Sequence, residues 1–204
     1  MSDPTEEERI LKSMARHGYV PAEADAVRIR RLYDYVEDID LWRHSLPQTK
    51  EFSSAMGARN IVYDVQTNAD LFTQLLTLDA DVLCQEGVAI QAENQRAIQS
   101  DIARAYTIRL RAGAAEAACL AIETDHYELR SEMGNQLAEV SRARGLAPIG
   151  CICKVDGDEV KVSLRSLGTE DTTVFTQLYG GGGHRNASGC CVSRAELSRW
   201  KTSA

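Results

Sequence analysis

Residues 180–189 form the most distinctive segment of the chain and read Gly-Gly-Gly-Gly-His-Arg-Asn-Ala-Ser-Gly. Four consecutive glycines carry a high entropic cost in a folded chain, which a turn with positive φ angles or a close approach to a ligand would justify. Exposed amide N–H groups in such a turn form an anion-binding nest. His184 and Arg185 can donate to phosphate oxygens, and Asn186 and Ser188 add neutral hydrogen-bonding groups. The segment therefore predicts a phosphate-binding turn, with a flexible surface loop as the alternative.

A nucleotide P-loop is excluded for this segment because a P-loop ends in Gly-Lys-Ser/Thr, whereas this segment continues Gly-His-Arg. A second signal precedes it at residues 162–166, Val-Ser-Leu-Arg-Ser. Arg165 ends a predicted strand, and the planar fork of its guanidinium suits bidentate phosphate binding. A surface arginine paired with Glu170 or Asp171 is an equally good interpretation.

The first half of the chain has a helical pattern. Apolar residues recur at helical spacing over residues 26–42, and Pro47 ends that regularity. A second short helix is predicted over residues 69–78. A long helix is predicted over residues 81–109, because helix-favouring side chains surround one apolar side there.

The second half predicts a small mixed β-sheet with helices packed on it. Residues 115–122 form an apolar strand, and a helix capped by Asp125 follows and ends at Gly145. Two alternating strands flank Asp-Gly-Asp at residues 156–158, which predicts a hairpin. A short helix over residues 171–178 and a last strand at residues 190–192 complete the order.

We therefore expect an α/β protein in three parts: a helical segment over residues 1–80, a linker helix over 81–112 and the sheet domain over 113–204. The 204 residues suffice for one or two compact domains. The net charge is -7, but residues 109–204 hold 12 basic and 12 acidic side chains. Long nucleic acids usually require a basic excess, so we expect any nucleic-acid ligand to be short and held in a local pocket.

The composition predicts a cytoplasmic protein without a membrane partner. No apolar run approaches the ~20 residues of a membrane helix, and the acidic N-terminal sequence resembles neither a signal peptide nor a transit peptide. Six cysteines are interpreted as free and mostly buried thiols rather than disulfides. Cys151 and Cys153 lack the Cys-x-x-Cys spacing of redox and zinc sites, and in a strand they would point to the same face.

Two of these segments together resemble a known family. Val-Ser-Leu-Arg-Ser, a helix and then Gly-Gly-Gly-Gly-His-x-x-Ala-x-Gly resemble the C-terminal, DHH-associated domain of the DHH phosphoesterase superfamily. Residues 35–43 and 51–55 resemble the end of the catalytic lobe in the branch that contains oligoribonuclease-like and cyclic-nucleotide phosphodiesterase-like proteins. The resemblance covers residues 27–193.

The resemblance implies a division of labour between two lobes. In such families an N-terminal lobe holds two divalent metals, usually manganese, with ligands that include an Asp-His-His triplet, and the C-terminal lobe grips the substrate. The motifs match the substrate-binding residues of the family at these positions of this chain: Arg165, Ser166, Gly181, Gly182, Gly183, His184 and Asn186.

The chain departs from the family in lacking any Asp-His-His triplet. Two-metal hydrolysis needs several ligands that hold ions ~3.5–4 Å apart. Asp38 and Asp40 are either remnants of one ligand position or a solvated helix end, and we favour the second interpretation. We therefore predict no catalytic residue and no metal ligand here, with Mn²⁺ bound only if a complete metal lobe is supplied.

Three functions are consistent with these patterns. The first is a module that binds a nucleotide or short single-stranded nucleic acid without cleaving it. The second is a metal-dependent phosphoesterase whose metal lobe lies on a missing segment or a separate chain, and the third is an oligomerisation scaffold, for example a homodimer. Trp42 is expected to pack against the core rather than to stack on a base, and His126 to be structural or exposed.

Overall fold

A computed structural model describes residues 23–201, together with residues 5, 8, 9, 12, 13 and 16. The chain forms two compact units, Met1–Glu93 and Asn94–Ala204. Most of the predicted helical segment before residue 23 lies outside the described residues. We number the helices and strands from residue 23 onward.

The first unit is helical. Its helices are α1 Glu23–Asp40, α2 Thr49–Ala58, α3 Leu71–Leu76 and the first part of α4 Ala80–Ile102. Tyr35 stacks on Phe52 with ring centroids 4.9 Å apart, and the Tyr35 hydroxyl donates to the Pro47 carbonyl at 2.8 Å. Helix α4 approaches α2 closely at Gly87, where a Cβ atom would lie 1.9 Å from the Glu51 carbonyl oxygen. The hydropathy pattern did not predict α2.

Asp38 is not the solvated helix end that the sequence suggested. Its side chain lies at the end of α1 and is 2% exposed. Its carboxylate accepts hydrogen bonds from the Ser45 amide and hydroxyl, the Leu46 amide and the Thr49 hydroxyl. Burial alone would raise the pKa of Asp38, but these donors outweigh burial and hold that pKa well below its usual value. Asp38 therefore fixes the turn between α1 and α2.

The second unit contains a six-stranded mixed sheet, which confirms the predicted fold class. Its strand order is β1-β2-β3-β4-β6-β5. Only β2 and β3 pair in parallel; the other neighbours are antiparallel. The strands are β1 Tyr106–Ala112, β2 Ala115–Glu123, β3 Ile149–Asp156, β4 Glu159–Ser166, β5 Gly182–His184 and β6 Ala187–Ser193.

Helices cover the two faces of this sheet unequally. Helix α5 Arg130–Ala143 and the end of α4 pack on one face, around Met133 and Ile152. Helices α6 Thr173–Thr176 and α7 Arg194–Trp200 pack on the other face, around Leu164 and Trp200. Helix α5 contacts β2, β3 and β4, so the same side of β6 and β5 extends beyond it.

Some element boundaries differ from the prediction. The long helix ends at Ile102, not at residue 109, and β1 follows because Tyr106–Ala112 alternates between buried and exposed side chains. Helix α5 begins at Arg130 after a 3-10 turn at Tyr127–Leu129, so Asp125 does not cap it. The last strand starts at residue 187, not 190, and α7 follows it.

The hairpin prediction is confirmed. Strands β3 and β4 pair in antiparallel register out to Asp156 and Glu159, and Gly157 takes a φ of 58° at the turn. A residue with a Cβ atom adopts that left-handed conformation rarely, so the glycine suits the turn.

All six cysteines are free, as predicted. Cys151 and Cys153 share a face, with their Sγ atoms 3.7 Å apart, and burial raises the pKa of neighbouring Cys119 to about 12. Cys191 differs because it is exposed. Within the described part of the chain, no helix has the length and apolar character needed to cross a bilayer.

Candidate functional site

The glycine run is an edge strand rather than the predicted turn. Gly182, Gly183 and His184 form β5 and pair with Gly189, Ser188 and Ala187 of β6. The chain reverses at residues 185–186. Gly180 takes a φ of 69° at the end of the 3-10 helix Gln177–Tyr179, which precedes the run. Of the four glycines, it therefore marks the point where the chain bends into the hairpin.

The glycines of this run meet different requirements. A Cβ atom at Gly181 would lie 2.2 Å from the Gly189 carbonyl oxygen. A Cβ atom at Gly183, whose φ is 138°, would lie 2.5 Å from the Ala187 carbonyl oxygen. Both contacts are with backbone, which cannot move aside. A Cβ atom at Gly182 would meet no atom within 4 Å, so Gly182 leaves open surface above the strand.

Arg165 and His184 lie on the same face of the sheet. Arg165 is the register partner of Ala187, and Ala187 is the register partner of His184. Directly paired residues of antiparallel strands point to the same side. Neighbouring strands are ~4.8 Å apart, so the Cα atoms of Arg165 and His184 are ~10 Å apart with only an alanine between them.

The adjacent row of the same face is nearly free of side chains. Ser163 pairs with Gly189, and Gly189 pairs with Gly182. Together the two rows form a surface that we call the Arg165 shelf. It comprises Ser163, Arg165, Gly182, His184, Ala187 and Gly189. A ligand on this shelf can approach the backbone of β5 and β6 closely.

Arg165 is held in place by neutral oxygen atoms. Its Nη1 donates to the Ser163 hydroxyl at 2.8 Å and to the Leu164 carbonyl at 2.9 Å, and its Nη2 donates to the Ser131 hydroxyl at 3.1 Å. No carboxylate pairs with Arg165 within the described ranges. The alternative of an ion pair with Glu170 or Asp171 is therefore wrong.

The surroundings of Arg165 favour an anion. Burial lowers the pKa of Arg165, and the charge of nearby Arg130 lowers it further. An arginine carries five N–H donors, and the three hydrogen bonds to protein leave two of them for a ligand. A negatively charged group bound here would offset the repulsion between the two guanidinium groups.

The start of α5 adds further donors beside the shelf. Ser131, which accepts from Arg165, is the second residue of α5, and no side chain caps the N-terminus of that helix. The Arg130 amide is already bonded to the Tyr127 carbonyl, so the donors added here are those of the Arg130 guanidinium, one of which bonds the same carbonyl at 3.2 Å. Arg130 stacks over the Tyr127 ring, with its Cζ atom 5.2 Å from the ring centroid. The sequence prediction missed these residues because it began the helix at residue 125.

Two of the sequence-predicted binding residues lie away from the shelf. Ser166 is 4% exposed and belongs to the opposite face, since side chains alternate along β4. Asn186 donates from Nδ2 to the Ser166 hydroxyl at 2.9 Å, the Gly168 carbonyl at 3.2 Å and the Glu170 carbonyl at 3.3 Å. These contacts connect the 185–186 turn to the loop after β4.

A ligand role for Ser166 and Asn186 stays a prediction. The structure brings together Arg165, Gly182 and His184, and it gives Gly181 and Gly183 a packing reason.

The described residues do not fit a manganese site. Among them, no three His, Cys, Asp or Glu side chains group as metal ligands. The carboxylate oxygens of Asp38 are already occupied by protein donors. His126 lies 3.2 Å from the Asp101 carboxylate through Nδ1, but that pair has no third ligand among the described side chains. Trp42 is 49% exposed and contacts His44 edge-on, so the prediction that it packs against the core is wrong.

Comparison with known proteins gives distant matches. No protein-family model matches the chain. The chain is 26% identical over 170 residues to uncharacterized protein R106 of Acanthamoeba polyphaga mimivirus, which covers 81% of this chain and 38% of that protein. The chain thus spans well under half the length of this curated relative.

Among solved structures, the chain is similar to two proteins. One is PggH, a pGpG-specific phosphodiesterase from Vibrio cholerae, with a TM-score of 0.42 and 13% identity over 97% of this chain and 72% of that chain. The other is an exopolyphosphatase-related protein from Bacteroides fragilis, with a TM-score of 0.34 and 17% identity over 63% of this chain and 38% of that chain.

Proposed function

We propose that the second unit binds the phosphate-bearing end of a nucleotide or short single-stranded nucleic acid on the Arg165 shelf. The observation that carries this proposal is the shared face of Arg165 and His184, separated by Ala187 and bordered by the bare backbone of Gly182 and Gly189. The two side chains thus lie on one side of the sheet, beside backbone that a ligand can reach.

Each part of the shelf has a distinct role in this binding. The two free N–H groups of Arg165 donate to phosphate oxygens, and the nearby Arg130 guanidinium adds a second positive charge. The exposed imidazole of His184 contacts the ligand from the edge strand. The proposed site is small, which agrees with the balanced charge of residues 109–204: affinity comes from a few donors rather than from a basic surface.

We further propose that the chain is a relative of the DHH phosphoesterases whose second unit corresponds to their substrate-binding domain. The paired motifs at residues 162–166 and 180–189 support this relationship. The described residues offer no metal-ligand group, so we assign to this chain ligand binding without hydrolysis on its own. We place it in the cytoplasm, where an exposed thiol such as Cys191 stays reduced.

Fluorescence anisotropy with a 5′-phosphorylated, 3′-labelled trinucleotide tests the proposal. Arg165→Ala and His184→Ala each remove charge-assisted contacts worth about 1–3 kcal/mol, so we expect affinity to fall about 5- to 150-fold. Arg142→Ala is the matched control, because Arg142 is an exposed arginine in the last turn of α5. Its affinity should equal that of the parent.

Two results would contradict the proposal. Parental affinity in both shelf variants would show that the ligand binds elsewhere. Chromatography of the same trinucleotide after incubation with Mn²⁺ separates binding from turnover, and cleavage that Arg165→Ala abolishes would make the chain an enzyme in its own right.

A further inference from the structure

A second group of cations lies on the same face of the sheet as the Arg165 shelf. Lys154 of β3 is the register partner of Lys161 of β4, and Lys161 is the register partner of Cys191 of β6. Lys161 precedes Arg165 by four residues along β4, so both side chains point to the side that α5 partly covers. Both lysines and Cys191 are exposed.

The two lysines form a cross-strand pair of like charge. Such pairs are unfavourable, because directly opposite residues have Cβ atoms only ~4.5–5.5 Å apart. Neither Lys154 nor Lys161 forms an ion pair within the described part of the chain. The next row outward pairs Asp156 with Glu159, which ends the basic surface on the hairpin side. The lysine pair therefore lies between this acidic row and the row of Ser163.

Tyr127 and Arg130 lie just before Ser131, which bonds Arg165 of the shelf. Burial raises the pKa of Tyr127, and its pKa also responds to the charges of Arg130 and Arg165 and to Cys191. The phenol therefore stays neutral at physiological pH and adds no negative charge beside Arg130, whose Cζ atom lies 5.2 Å from the Tyr127 ring centroid.

The distances suit a ligand with more than one phosphate. Lys161 and Arg165 have Cα atoms ~13 Å apart along the strand. The Arg165 guanidinium reaches back toward the lysines, because it bonds the Ser163 hydroxyl two residues earlier. Ser163 is two residues from Lys161, so the contact places the Arg165 guanidinium ~7 Å along the strand from the Lys161 backbone. A lysine side chain can extend over part of that distance.

We propose that Lys154 and Lys161 form a second anion subsite, which binds the next phosphate of an oligonucleotide whose terminal phosphate lies on the Arg165 shelf. This inference rests on the proposed function and deepens it. It makes the preferred ligand an oligonucleotide with at least two phosphates rather than a mononucleotide. The competing interpretation is a pair of solvated lysines balanced diagonally by Asp156 and Glu159.

The test compares two double variants with equal loss of charge. Lys154→Gln/Lys161→Gln removes the subsite, and Arg142→Gln/Arg144→Gln removes two exposed cations at the far end of α5. Binding of a 5′-phosphorylated mononucleotide and of a 5′-phosphorylated trinucleotide is measured by calorimetry from 50 to 200 mM salt. Circular dichroism verifies that both variants fold.

The expected result is selective for the longer ligand. The lysine variant should bind the trinucleotide about tenfold more weakly than the parent at 50 mM salt and bind the mononucleotide within twofold of the parent. The slope of log affinity against log salt for the trinucleotide should flatten by ~0.7 for each phosphate that no longer has a lysine beside it. The arginine control should behave like the parent with both ligands.

Failure of this inference can be distinguished from failure of the proposed function. Parental trinucleotide affinity in the lysine variant, or an equal loss in the arginine control, would overturn the subsite. The proposed function would still stand if Arg165→Ala lost mononucleotide binding. A parent protein that binds neither ligand would overturn both.

Discussion

Replacing Gly134 by alanine would test the contact between α5 and the Arg165 side chain. Gly134 lies inside α5, where a change from glycine to alanine normally stabilises a helix by about 0.5–1 kcal/mol. Here the new Cβ would lie 2.7 Å from Arg165 Cγ and 3.0 Å from Arg165 Cβ. These atoms are close to the β4 backbone, so the whole Arg165 side chain must turn to relieve the clash.

The two effects have opposite signs. Overpacking of this kind costs about 1–3 kcal/mol, which exceeds the helix gain, so we expect Gly134→Ala to lower the free energy of unfolding by about 1 kcal/mol. A turned side chain also loses the hydrogen bonds of its guanidinium to Ser163 and Ser131. We therefore expect trinucleotide affinity to fall about tenfold, in line with the removal of one charge-assisted hydrogen bond.

Urea unfolding, followed by the fluorescence of Trp200, measures the first effect, because Trp200 is buried in the second unit. Gly57→Ala is the control: Gly57 is also helical, and a Cβ atom there meets nothing within 4 Å. Circular dichroism should show that variant to be slightly more stable than the parent. A Gly134→Ala protein that gains stability and keeps parental affinity would refute the position assigned to Arg165 over α5.

Three other substitutions test two separate features. Gly183→Ala should destabilise the second unit by about 1–3 kcal/mol, because its Cβ would meet the Ala187 carbonyl. Gly182→Ala should keep stability and weaken ligand binding, and equal unfolding midpoints for the two variants would contradict the edge-strand geometry. Asp38→Asn should destabilise the first unit at pH 7. Because the pKa of Asp38 is lower in the folded than in the unfolded chain, the ionised carboxylate stabilises the fold above about pH 4. This stabilisation is lost as the pH falls below that value. Denaturation at pH 7 and pH 3 should show the difference from the parent narrowing, and a constant difference would contradict this prediction.

Local patterns were sufficient for four of the six strands, β2, β3, β4 and β6, but not for β1 and β5. The Asp-Gly-Asp hairpin and the apolar strand after residue 115 are short-range signals, and both are found. Strand β1 was missed because Tyr106–Ala112 follows a helix with no proline or glycine between them. Helix α2 was missed because its buried side chains, such as Phe52, are too few to form a helical stripe.

The site was harder to predict because its geometry depends on strand pairing. The sequence indicates that Arg165 and His184 have suitable chemistry, but only the register through Ala187 shows that they share a face. The spacing of residues along the sequence also did not show that the Asn186 side chain bonds the loop after β4 and does not border open surface. Helix propensity could not predict that Ser131 contacts Arg165, because the two residues are 34 positions apart in the sequence.

The shortness of β5 has a consequence for association with other chains. An exposed strand edge commonly recruits a foreign strand through its unpaired amides and carbonyls. Strand β5 has three residues, and two of them are glycines, which have no side chain to pack against an added strand. The outermost backbone of the sheet can thus remain accessible to small solutes while giving polypeptides too little length for stable cross-β addition.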